Sequence, residues 1–150
     1  MATIELSSDY GYVILTFILS AIVNFWHGGQ VLKARKKYNV VYPAEYQIDV
    51  KDGKIDQNNV FNCYQRSHQN FLENYAMVMG WMFIGGLKFP IYAAGAGVAF
   101  LAGRVIYALG YSTGNPKNRL WGEPFLIIGM LGLLGLCGAT GLSLLGWVKI

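Results

Sequence analysis

The chain has 150 residues, 54% of them hydrophobic and only 13% charged, where a soluble domain carries about a quarter charged residues. This composition points to a membrane protein of one compact domain. With a formal net charge of +4 and long apolar strings, it leaves little surface for a nucleic-acid site, and none is expected.

The N-terminal stretch MATIELSSDYGY has no basic residue. A cleaved signal peptide starts positive, so the first apolar segment is expected to stay in the mature protein. That segment, about residues 10–32, YGYVILTFILSAIVNFWHGGQVL, contains no Lys, Arg, Asp or Glu, and about 20 such residues cross a bilayer core. A polar connection of about residues 38–60 follows; its part DVKDGKIDQNN is rich in turn formers. The second segment begins polar, FNCYQRSHQNFLENYAMVMG, and becomes apolar toward Leu87. The third follows Pro90, which suits a first helical turn, and is interrupted by Arg104. The fourth follows Pro124 and runs uncharged to about Val148.

No period-2 alternation competes with helices. The prediction is an all-α membrane protein, a single domain over 1–150 with four transmembrane helices at about 9–37, 61–87, 90–114 and 121–148. Short links make the successive helices antiparallel neighbours in a four-helix bundle. Gly129, Gly132, Gly135, Gly138 and Gly141 in the last helix read as close helix packing in lipid rather than a phosphate loop. Cys63 and Cys137 have no CxxC or metal-ligand spacing, so they read as buried small residues or idle thiols, and no metal is expected.

Lys33, Arg35, Lys36, Lys37, Lys51 and Lys54 lie in or beside the first connection, and Lys117 and Arg119 in the third. Opposite them stand only Lys88 and Lys149, so the first and third connections are expected to face the cytosol. KARKKY is on this reading a topology signal.

The polar start of the second helix is patterned. At about 100° per residue, Asn62, Arg66, Gln69, Asn70 and Glu73 share an arc of about 100°, and His68 points the other way. A self-satisfied Arg66–Glu73 pair inside the bundle accounts for part of this stripe. Its surplus of amides also suits a small zwitterionic or anionic ligand, with Arg on a carboxylate and Glu on an ammonium. In the third helix, Arg104, Tyr107 and Tyr111 share a face. The tyrosines fit an interface belt or a site, and Arg104 a buried structural pair. Arg119 is either a topology charge or a cation over an anionic group.

The run RSHQNFLE, the upstream KARKKY and the downstream GRVIYALGYSTGNPKNR resemble the membrane-associated eicosanoid and glutathione metabolism superfamily. Within it they look most like the type 3 microsomal glutathione S-transferases, and the final LGWVK agrees. The resemblance covers nearly the whole chain. It implies a homotrimer in the endoplasmic reticulum, with the outer mitochondrial membrane as the alternative, and glutathione bound between subunits on the cytosolic side.

Carried over by position, Arg66, Asn70, Glu73, Tyr107 and Tyr111 match residues that hold glutathione. Arg35 and His68 match residues that reach a neighbour's site, and Arg119 matches the arginine that stabilises the thiolate. Asn74 and Lys36 depart from the leukotriene-C synthase pattern, where a Tyr and an Arg stand. The expected function is glutathione transfer to lipophilic electrophiles, with peroxidase activity toward lipid hydroperoxides; the two departures leave leukotriene-C synthesis open. The competing readings are a non-enzymatic lipid-binding scaffold of the same superfamily and a small four-helix transporter.

Overall fold

The structure, a computed structural model, describes residues 5–48, 50–51, 54–55 and 59–149. The first four residues of the N-terminal stretch lie outside it, as do residues 49, 52–53 and 56–58 of DVKDGKIDQNN. Among the described residues four α-helices carry the fold: α1 Tyr10–Tyr38, α2 Val60–Gly86, α3 Pro90–Tyr111 and α4 Glu123–Leu144. A 3-10 helix, Pro116–Trp121, joins α3 to α4. In the long connection, β1 Val50–Lys51 and β2 Lys54–Ile55 pair antiparallel, Val50 opposite Ile55 and Lys51 opposite Lys54. A ladder this short is below what alternation in a sequence can signal.

The helix ends follow from local chemistry. Asn39 closes α1 in the left-handed region (φ 55°), and the preceding turn carries Arg35, Lys36 and Lys37, cations that favour the negative end of the helix dipole. Asn59 caps α2 by accepting the Asn62 backbone N–H at 3.2 Å. Proline opens both α3 and α4, where its missing N–H leaves no gap in the helix ladder.

The helices alternate in direction. Tyr10 near the start of α1 donates to the Phe83 carbonyl near the end of α2 at 3.2 Å, and Arg35 at the other end of α1 lies over Phe61 at the start of α2. The end where α1 and α3 finish and α2 and α4 begin is called the basic end below. Phe71, Val78, Met82, Phe100, Leu101 and Leu133 are fully buried between α2, α3 and α4, with Val13 of α1. A smaller cluster, Val31, Ala34 and Phe61, joins α1 to α2 at the basic end.

Helices α1, α3 and α4 are each long and apolar enough to cross a membrane. Ile14, Ile18, Ile22 and Phe25 form an exposed row on α1, and Ile127, Leu131 and Leu134 do so on α4. Such faces belong in hydrocarbon. Two buried threonine hydroxyls fit the same setting, since they bond to their own helix: Thr16 donates to the Tyr12 carbonyl at 2.8 Å and Thr140 to the Leu136 carbonyl at 2.9 Å.

Two glycines set the corner that carries the basic end. Gly110 packs directly on the Asn118 carbonyl, and Gly122 on the backbone of Gly103 and Tyr107. A Cβ at either position collides with backbone, which cannot rotate away. Gly138, by contrast, has open space around its Cα. Gly110→Ala is therefore expected to lower stability by about 1–3 kcal/mol. Gly138→Ala should hold or raise it, by up to about 1 kcal/mol from helix propensity. Thermal unfolding of the two variants in one detergent checks the contrast.

Candidate functional site

Asn62, Arg66, Gln69, Asn70 and Glu73 do share one side of α2, but they divide between two tasks. The Asn62 amide clips the first connection, donating to the Gln47 carbonyl at 2.7 Å and accepting the Gln47 N–H at 2.9 Å. Gln69 accepts the Tyr46 hydroxyl. Two of the surplus amides thus hold the connection against α2, and Tyr46 and Gln47 carry no periodic signal that announces it.

The remaining three form the start of a chain of contacts. Arg66 meets Glu73 two turns on, Nη1 to Oε1 at 2.6 Å and Nη2 to Oε2 at 3.4 Å. These side chains are 46% and 49% exposed, so the pair contributes at most about 1 kcal/mol. The Asn70 amide donates to Glu73 Oε2 at 3.2 Å. Its oxygen accepts Arg104 Nη1 at 2.9 Å, which ties α2 to α3.

Arg104 is only 3% exposed. Its guanidinium carbon lies 5.4 Å from the Phe71 ring centre, 5.8 Å from Phe100 and 5.2 Å from Tyr107, each within cation–π range. Its Nε and Nη2 have no hydrogen-bond partner among the described residues. The spacing of Arg104 with Tyr107 and Tyr111 was visible in the sequence; a neutral amide as its partner, in place of a carboxylate, was not.

From Arg104 the contacts continue along α3. Tyr107, buried, and Tyr111 stand edge to face with ring centres 5.6 Å apart. Arg119 of the 3-10 helix donates from Nη1 to the Tyr111 hydroxyl at 3.3 Å, with its guanidinium carbon 5.3 Å from that ring centre. Arg66, Glu73, Asn70, Arg104, Tyr107, Tyr111 and Arg119 therefore form one unbroken series over α2, α3 and the 3-10 helix. With three guanidiniums and one carboxylate, it has a positive excess that favours an anionic guest while leaving one anchor for an ammonium.

Arg35 and His68 stand outside this series. Arg35, 8% exposed, donates to the Ala44 carbonyl at 2.7 Å and lies 4.3 Å from the Tyr42 ring centre. His68 pairs Nε2 with Asn24 Oδ1 at 3.1 Å and faces α1. Asn74 folds onto its own helix, donating to the Asn70 carbonyl at 2.9 Å. Tyr75 turns to α1 and shares a 2.7 Å hydrogen bond with Ser20. Two wide apolar grooves, of about 480 and 650 Å³, are lined by the first half of α1 and of α3 and by the middle of α4. Both lie toward the end opposite Arg119. No group of His, Cys, Asp and Glu among the described residues is arranged to hold a metal.

Long apolar helices with outward hydrophobic rows, around a polar series confined to one end, define an integral membrane protein with a polar cluster at one end of its bundle. The MAPEG family model matches residues 13–142, and the chain belongs to that family, the membrane-associated proteins of eicosanoid and glutathione metabolism. Its members use glutathione and include transferases and peroxidases.

The two polar links of the series differ in what they hold. Removing the Asn70 amide takes away Arg104's polar partner where water does not reach, at a cost of about 1–3 kcal/mol. Neutralising Glu73 weakens only an exposed pair, at about 1 kcal/mol or less. Asn70→Leu is expected to lower the unfolding temperature clearly more than Glu73→Gln when both are measured in the same detergent.

Proposed function

We propose that the chain is a glutathione-dependent transferase with peroxidase activity, acting on lipophilic electrophiles and lipid hydroperoxides. The observation that carries this reading is the unbroken series from Arg66 to Arg119. It offers guanidiniums for carboxylates, a carboxylate for an ammonium and, at its Arg119 end, a cation beside a phenol at the edge of the bundle.

In this reading Arg66, Asn70, Glu73, Tyr107 and Tyr111 hold the tripeptide, and Arg119 faces its sulfur. Arg104 holds Asn70 in place. A free thiol ionises at about pH 8.5, and only the thiolate is a good nucleophile. A guanidinium beside the sulfur favours the anion, so the proton leaves to water. The thiolate then bonds to an electrophilic carbon, whose displaced electron pair leaves with the departing group or moves into the conjugated system. With a hydroperoxide the thiolate bonds to the outer oxygen as sulfenic acid, the O–O bond breaks, and the leaving alkoxide takes a proton from water to give the alcohol. A second glutathione resolves the sulfenic acid as disulfide and water.

Helix α2 serves as the fourth crossing, its polar first half lying at the cytosolic edge of the membrane, and the chain forms one domain. Three subunits assemble in the endoplasmic reticulum, with Arg35 and His68 contributing across the subunit boundary, since neither joins the series within its own chain. Leukotriene-C synthesis belongs among the activities to assay.

Adding glutathione to the detergent-purified protein at neutral pH is expected to give the ultraviolet absorbance band of a thiolate. Arg119→Ala should lose the band and about tenfold or more in transferase kcat/KM, as a shift of one pH unit in thiol ionisation requires. Its dissociation constant for glutathione should change little, whereas Arg66→Ala should weaken binding itself. No band in the native protein, together with failure of glutathione to displace a labelled analogue, overturns the enzyme reading in favour of a lipid-binding scaffold.

A further inference from the structure

Near the basic end, a separate cavity of about 60 Å³ lies between α1, α2 and α3, lined by Trp26, His27 and Gln30, by Ser67, and by Leu109 and Ser112, among others. His27 and Ser67 are each only 2% exposed. Neither His27 Nε2 nor Ser67 Oγ has a hydrogen-bond partner among the described residues. Leaving one buried polar group unpaired costs about 1–3 kcal/mol, and native proteins rarely carry two such groups in one place. The imidazole is held firmly. It stacks on Phe71 at 5.1 Å and on His68 at 5.9 Å, and Trp26 meets it edge-on at 5.0 Å. His68 does not partner it, since the two rings stack with their planes 16° apart rather than meeting edge to edge.

The lining defines the guest. No charged side chain borders the cavity, so neither a metal cation nor a phosphate is matched there. An imidazole nitrogen and a hydroxyl together suit one O–H group, which donates to one and accepts from the other. On this measure of volume a water needs about 10–15 Å³. The space therefore holds a few waters or a single hydroxymethyl group, and excludes a sugar or a phosphocholine. Leu109 beside it is 54% exposed, which gives the polar slot an apolar flank toward lipid.

We propose that this cavity is a hydroxyl-binding slot, in which one O–H group bridges His27 Nε2 and Ser67 Oγ. The group comes from ordered water or from the end of a membrane-dissolved primary alcohol. The assignment is independent of the glutathione reading, since no residue of the Arg66–Arg119 series lines the cavity.

The chain has two histidines, so imidazole nitrogen spectroscopy is simple to assign. Histidine-labelled protein is placed in phosphatidylcholine nanodiscs, and His68→Asn identifies the His27 signals. His27 Nε2 is expected at a hydrogen-bonded shift with magnetisation transfer from water. Titration with 1-dodecanol, against a dodecane control, separates the sources. Saturable loss of the water transfer identifies the alcohol, and persistence identifies water; both support the slot. Ser67→Ala should move the His27 Nε2 shift and leave that of His68 unmoved. A free-imidazole shift at His27 with no transfer from water and no response to alcohol overturns the proposal. That reading on the native protein decides the matter even where Ser67→Ala fails to fold.

Discussion

Arg104 is the constraint around which the bundle is arranged. A guanidinium among apolar helices is costly, and the cost of a charge in a membrane falls only when protein groups take the place of water. Here one amide oxygen from α2 and three aromatic rings supply that environment. Phe71 and Phe100 belong at the same time to the main apolar core. The cation is thus built into the packing of α2 against α3 and fixes their register at the basic end. Asn70 sits between two opposite demands, donating to Glu73 and accepting from Arg104. Its amide is therefore oriented by charge on both sides, which a carboxylate or an ammonium at the same position does not reproduce.

The rest of the polar series follows from where that register leaves the neighbouring groups. Tyr107 and Tyr111 come three and seven residues after Arg104 and stay on its side of α3. The tight approach of Gly110 to Asn118 and of Gly122 to Gly103 and Tyr107 brings the 3-10 helix back under the tyrosines, which carries Arg119 to the Tyr111 hydroxyl. A loop residue is placed in this way by backbone contact rather than by its own side chain. The hydroxyl slot at His27 draws on the same packing from behind, since the Phe71 ring that supports Arg104 also stacks on the His27 imidazole.

The basic and polar runs show how sequence and structure part company. KARKKY reads as a uniform topology signal, yet it divides. Arg35 turns inward onto the Ala44 carbonyl and the Tyr42 and Phe61 rings, while Lys33, Lys36 and Lys37 stay exposed. The polar stripe of α2 reads as one surface, yet Asn62 and Gln69 hold the connection while Arg66, Asn70 and Glu73 bond to one another. In both cases the residues share a helical face, and the difference lies in what a distant part of the chain brings to each.

What the sequence alone determined is what depends on local pattern: the all-helical class, from apolar runs too long for strands; a membrane setting, from composition; and the shared faces of Arg66, Asn70 and Glu73 and of Arg104, Tyr107 and Tyr111, from the helical period. The motifs also carried the family likeness, because its signature lies in contiguous stretches. Only the tertiary structure decided that these two faces meet through Asn70 and Arg104, that Arg35 and His68 lie apart from them, and that His27 and Ser67 share a cavity. Each of these joins residues from different helices, and helical periodicity carries no information about which face of one helix another will cover.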